Sequence, residues 1–292
     1  MLNAGRKKGP LAALLIGFIL CLLLPAGAVA PVSDQTETFV FPSFRDPHRR
    51  VERPSDDTPS ALRFLMTDDF PPFSYVSPDG QLVGFNVDLA RAVSVAIDTV
   101  CFIQIRPWDS LGEAAQVGEN IAIMAGIVMS PETQRLYAFT DRYLTLPARF
   151  MARKDEVPID FHPRTLARLN VAVVKDSAHE AFVGDHFETV TVTPKESLGD
   201  ALKALKADEV DLVFADGLRL SRWLTAGTTH ENCCTLAGGP YLESAYFGHG
   251  LAIAVPRKDE TLVQLLNYGL DQVQQNGVFE EIYLRHFPVG IY

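Results

Sequence analysis

From Ala61 onward, short apolar runs that read as strands alternate with segments of helical periodicity over roughly 230 residues. A chain patterned in this way folds as α/β, because strand after strand returns to its sheet through a helical crossover, and largely parallel sheets are expected. One sheet would be large for this length, so two lobes are expected. The pattern predicts strands over 62–66, 102–105 and 121–125, with helices over 86–96 and 111–117. A second series follows, with strands over 170–174 and 211–215 and helices over 178–183, 198–207 and 218–225. The chain then returns to a strand over 251–255 and to helices over 260–275 and 278–287, separated by Gly277 as a stop. Ligands of open α/β sheets bind beyond the carboxyl ends of the strands. The loops that begin at Thr67, Gly126, Lys175 and Asp216 are therefore where function is expected.

The segment before this region reads differently. Arg6, Lys7 and Lys8 precede an uncharged apolar block over 11–24, then Pro25 and the small residues AGAVA, the order of a secretory signal peptide. That block of about fourteen residues is shorter than the roughly twenty needed to span a bilayer. Residues 1–28 are expected to be removed, with cleavage after Ala28, and 29–60, rich in Pro, Asp, Ser, Thr and Arg, to be a disordered or loosely attached leader. The sequence holds 26 Lys and Arg against 36 Asp and Glu, so losing those three cations leaves 23 and a net charge near −13. Such an acidic chain is not expected to bind nucleic acid. Cys101, Cys233 and Cys234 would enter an oxidising compartment. Their spacing fits neither a zinc site nor a redox motif, and no cofactor or metal is expected. A bridge between adjacent cysteines is sterically awkward, which leaves Cys101 paired with one of the other two, or three reduced thiols, as the expectations.

Several motifs occur in a recognisable order: FPPFSYVSPDGQLVGFNVDLARAV over 70–93, PWDSL over 107–111, SPE over 130–132, AFTDRY over 138–143, VDLVFAD over 210–216, YFGHGLAIAVPRKDETL over 246–262 and NGVFEEIYLRHF over 276–287. Together the chain resembles the family 3 extracellular solute-binding proteins, the polar amino-acid receptors of ABC importers. That resemblance covers about three quarters of the sequence. It implies a periplasmic-binding-protein type II-like fold, two α/β lobes joined by two crossover strands. Lobe one would comprise 61–147 and 239–292, with lobe two at 148–238. It further implies a periplasmic monomer that closes on a small molecule and presents it to an ABC permease.

The resemblance also assigns candidate ligand contacts. Phe70, in the first cleft loop, and Trp108 match aromatic positions, and their faces suit a cation, a ring or an aliphatic chain. Relatives hold the ligand carboxylate with an arginine directly after the SPE-like motif, but this chain has Thr133 there, and Gly126 and Val128 stand where hydroxyls are common. Losing a guanidinium removes roughly 1.5 to 3 kcal/mol per charge-assisted hydrogen bond. Arg135, on a helix opened by Ser130 and Pro131, would point about 200° away from Thr133. In lobe two, Ser177 and His179 occupy the strand-to-helix turn whose amides receive the carboxylate in relatives. Asp216 ends a strand at the position where the family binds the ligand's amino group, and an acid after four apolar residues needs a partner. The ammonium half of the site thus survives while the carboxylate half is degraded. The expected ligand is an amine, a modified amino acid, an amino acid or another small polar organic molecule. Two other readings are a binding, assembly or sensory protein that has lost transport, and a dehydratase-like enzyme using a cleft acid. The sequence shows no nucleophile and base pair and no phosphate loop, so no enzyme is expected.

Overall fold

The computed structural model describes residues 51–54, 58–226 and 233–292. The expected signal peptide and most of the expected leader lie outside the described residues. Strand β1 (Ala61–Met66) buries Leu62, Phe64, Leu65 and Met66 completely, as a central strand covered on both faces does. A small meander of β2 (Asp69–Phe70), β3 (Ser74–Val76) and β4 (Leu82–Val83) leads into α1 (Phe85–Ala96). Then come β5 (Val100–Ile105), α2 (Trp108–Val117), β6 (Ile121–Ile123) and β7 (Tyr137–Phe139). The chain next crosses into a second sheet with β8 (Ala148–Arg153), β9 (Asn170–Val174), α3 (Ala178–His186), β10 (Thr191–Lys195), α4 (Leu198–Lys206), β11 (Leu212–Asp216), α5 (Gly217–Thr225) and β12 (Cys234–Tyr241). It returns through the short α6 (Ser244–Phe247) to β13 (Ala254–Pro256), α7 (Thr261–Gln275) and α8 (Val278–His286).

Two five-stranded sheets result, ordered β5-β1-β6-β13-β7 and β10-β9-β11-β8-β12. The expected largely parallel pairing is corrected to mixed. β1 runs parallel to β5 and β6, and β9 to β10 and β11, but β13 and β8 are antiparallel to both their neighbours. The physical reason is the route of entry. Strands that arrive directly from the other lobe have no crossover helix to turn them round. Strand β12 stays in the second sheet until Tyr241 pairs with Ala148, a little past the crossing expected at 239.

Each lobe has its own aromatic core. In lobe one Phe73, Phe85, Tyr143, Phe279 and Phe287 cluster between α1, α8 and the sheet, and in lobe two Phe150, Phe182, Phe187 and Phe214 do so. Full burial of a Phe contributes about 1.5 to 3 kcal/mol. Among the described residues no helix is long and apolar enough to cross a membrane.

Two expectations change. The described end of the leader is not loose: Arg53 donates to Thr58 Oγ1 at 3.1 Å and to Ile97 O at 3.0 Å, while Pro59 O and Ser60 O accept from Thr99 Oγ1 and Val100 N. Those bonds tie it to the end of α1 and the start of β5. The adjacent Cys233 and Cys234 are bridged, and Cys101 is free. Cys101 lies on β5 in lobe one and the pair at the start of β12 in lobe two, so the pairing expected for Cys101 would have to span the lobes.

Residues 289–292 touch both lobes. Ser221 Oγ on α5 donates to Val289 O at 2.7 Å, and Arg149 on β8 donates to Ile291 O at 3.3 Å. On the lobe-one side Ile291 N donates to Tyr283 Oη at 3.1 Å, and Tyr292 Oη donates to Thr145 O at the crossing.

Candidate functional site

On the lobe-one side, the cleft loops are fixed by a buried polar pair. Asn86 Nδ2 donates to Met124 O at 3.0 Å and Asn86 Oδ1 accepts from Tyr143 Oη at 3.0 Å, with both side chains fully buried. This holds the chain just past β6, where Gly126 takes a left-handed φ of 72°. A Cβ at Gly126 would lie 3.2 Å from Phe70 Cε1, so the Phe70 ring rests against the glycine backbone. Phe70 also meets Phe73 at a ring separation of 4.7 Å. The sequence therefore names two residues, Phe70 and Gly126, that the structure joins into one surface. Trp108, at the first position of α2, is 55% exposed and makes no ring contact among the described residues.

Thr133 is spent locally. Its hydroxyl donates to Val128 O at 2.6 Å and accepts from Ser130 N at 2.9 Å. The helix expected after Ser130 and Pro131 is instead a three-residue 3-10 turn, Thr133–Arg135. With about three residues per turn, Arg135 is then roughly 240° round from Thr133, still turned away. The backbone N–H groups of Gly126 and Val128 have no acceptor among the described residues.

On the lobe-two side Ser177 caps α3. Its hydroxyl donates to Val174 O at 2.5 Å and accepts from Glu180 N at 3.2 Å. Glu180 folds back so that its carboxylate accepts from Asp176 N at 2.6 Å, close to a capping box. The Glu180 carboxylate thus sits just before the helix terminus expected to receive a ligand carboxylate. His179 stacks on Phe247 at 5.2 Å and meets Phe214 edge-on at 5.9 Å. Burial first, and then the Arg219 charge, push its imidazole down to about 4, so it is neutral at neutral pH.

Asp216 ends β11 and caps α5, its Oδ1 accepting from Arg219 N at 2.8 Å. Burial raises its carboxyl above the usual carboxylate range, against the pull of backbone N–H groups and the Arg219 charge. At the next position a Cβ would lie 2.9 Å from Pro147 O and 3.0 Å from Arg149 Cγ, which explains Gly217 there. One turn further, Arg222 Nη1 donates to Pro71 O at 3.2 Å, reaching from lobe two to the loop that carries Phe70. Sequence reasoning missed Arg219, Arg222 and Asn86. An arginine pair three apart in the opening turns of a helix that starts from a cleft acid was the available signal. Among the described residues no cluster of His, Cys, Asp and Glu is placed to hold a metal.

A mixed two-lobed α/β body with loops at strand ends converging from both lobes defines a type II periplasmic binding fold, the class to which comparison with known proteins also leads. Residues 62–289 match the bacterial extracellular solute-binding proteins, family 3, and this chain belongs to that family. It is 30% identical over 227 residues to a putative ABC transporter arginine-binding protein 2 of Escherichia coli K12, covering 77% of this chain and 90% of that one. Among solved structures, the Lactococcus lactis GlnP substrate binding domain 2 in its open conformation superposes with a TM-score of 0.66 at 15% identity, covering 80% of this chain and 98% of that one. An ancestral cyclohexadienyl dehydratase superposes with a TM-score of 0.64 at 23% identity, covering 79% and 93%. These two establish likeness of fold alone.

Proposed function

We propose that this chain is a periplasmic receptor, exported by residues 1–28, that closes as a monomer on a small amine-bearing organic molecule and presents it to an ABC permease. Asp216 is the group that takes the amine. The observation that carries the reading is its position: a carboxyl at the end of a strand, raised by burial, bonded to backbone and to no side-chain cation among the described residues. A ligand ammonium would supply the bonded cation that Asp216 lacks. Phe70, resting on Gly126, and the exposed Trp108 offer aromatic surface to the rest of the molecule. The name of the E. coli relative, an arginine-binding protein, agrees with a cationic ligand. A receptor is preferred to an enzyme because the matching family and the E. coli relative are binding proteins by description.

The test is calorimetry with L-arginine and with neutral small molecules on the wild type and Asp216→Asn. Asn is an equally good helix cap, so α5 is retained. A cationic ligand is expected to lose roughly 2 to 4 kcal/mol and a neutral one much less. Equal affinity of both proteins for the cation would refute the assignment.

A further inference from the structure

The sequence leaves the ligand carboxylate without a partner, and the structure narrows the choice further. Thr133 and Ser177 each spend their hydroxyl on a local turn, and the Glu180 carboxylate, bonded to Asp176 N, lies beside the α3 terminus. None of the three is an open cationic or hydroxyl partner for an anion. One charged group beside Asp216 does remain open.

Arg219 lies in the first turn of α5, three residues after Asp216. Its side chain is exposed and its guanidinium has no hydrogen bond or ion pair among the described residues. Helix geometry sets its direction. Gly217, Leu218 and Ser221 face the crossing and residues 289–291, while Leu220, Trp223 and Leu224 face the lobe-two core. Arg222, about 60° round the helix from Arg219, reaches Pro71 on the far side of the cleft. Arg219 therefore points between lobe-two core and lobe one, at the end of the helix nearest Asp216. Its charge acts on both Asp216 and His179. A cation in the opening turn of a helix opposes the helix dipole, so its position is not explained by stability of α5.

We infer that Arg219 holds the ligand's carboxylate from lobe two, in place of the arginine that Thr133 replaces in lobe one. This rests on the proposal that Asp216 takes the amine. Asp216 and Arg219 then present an anion and a cation side by side, unpaired with each other, and their complement is a molecule carrying ammonium and carboxylate on one carbon. Both charges of the ligand are read by one helix and its cap. The specificity for an acid over the corresponding amine resides in a residue of lobe two.

Isothermal titration with two matched pairs, L-arginine with agmatine and L-histidine with histamine, tests this on the wild type, Arg219→Ala and Arg219→Lys. At least one acid is expected to bind the wild type more tightly than its amine. Arg219→Ala should weaken that acid roughly ten- to hundredfold, the scale of charge-assisted hydrogen bonds, and leave the amine within about twofold. Lys should recover part of the loss, because it restores charge without the planar fork. An unchanged thermal midpoint confirms that the exposed substitution leaves the fold intact. The inference is overturned if Arg219→Ala weakens acid and amine alike, if it weakens neither, or if the acid-specific loss appears in Arg106→Ala instead. Arg106 is the rival because its Nε is buried without a partner at the end of β5. Wild-type protein that binds neither member of either pair refutes the amine receptor reading, and this inference with it.

Discussion

His179 and Asp216 stand close to one arginine, and their burial shifts their titration in opposite directions. The imidazole, packed on Phe214 and Phe247 near Arg219, titrates at about 4 when folded against an ordinary 6.5. As pH falls below 6.5 the unfolded chain takes up the proton first, so stability is lost progressively down to about 4. That loss has an upper limit on the order of 3 kcal/mol. His179→Phe keeps a ring against Phe247 and removes the proton; urea unfolding followed from pH 7 to 4.5 should then show a flatter decline than the wild type. For Asp216 burial raises the carboxyl, and a bound cation would favour its ionised form. Affinity for a cationic ligand is therefore expected to fall as pH drops through the range of this raised carboxyl. In Asp216→Asn that dependence should vanish, as calorimetry at stepped pH would show. Gly126 gives a steric counterpart. Valine there would take a left-handed φ of 72° and drive its side chain into the Phe70 ring. Gly126→Val should weaken ligand binding by more than tenfold, at the scale of about 1.4 kcal/mol per factor of ten, with both lobes still folded by circular dichroism.

The elements show where the sequence speaks and where it is silent. Helix α1 and strand β9 announce themselves: one carries an apolar stripe that buries Val87, Ala90 and Val93, the other is a short apolar run covered on both faces. Strands β8, β10 and β12 were not legible. In β8 five of the six residues of ARFMAR are buried, so no alternation marks it. Pro194 in β10 argues against a strand until the sheet order shows β10 at an edge, where a missing N–H is tolerated. Gly238, Gly239 and Pro240 read as a turn, yet β12 shifts register through them, with Gly238 so close to Phe161 that a Cβ would lie 2.4 Å from the ring. The site divides in the same way. Strand ends pointed to the loops, and the resemblance to Phe70, Gly126 and Asp216. Nothing in the sequence could say that the hydroxyls of Thr133 and Ser177 are consumed by turns, because that depends on which carbonyl comes within reach. Ser177 is thus a cap first. Ser177→Ala should cost about 1 kcal/mol of stability by shifting the denaturant midpoint, with little change in affinity for the acid that Arg219 holds. A large loss of affinity would return the carboxylate to the α3 terminus.

For the molecule as a whole, two lobes with separate cores and a cleft lined from both sides are expected to close on ligand. Small-angle scattering with and without saturating ligand should show a smaller radius of gyration in its presence, and an unchanged radius would count against closure. Residues 289–292 bear on how that motion proceeds. Two bodies joined at two points keep one free rotation, about the line through the joints. A third attachment off that line removes it. The bonds from Ser221 to Val289 O and from Arg149 to Ile291 O tie residues 289–291 to lobe two, and the other end is held by Tyr283 and Thr145. Closure must then release the lobe-two bonds or carry this strand of chain along. Such a tie would act as a detent, holding the lobes at rest until ligand binding supplies the force to trip it.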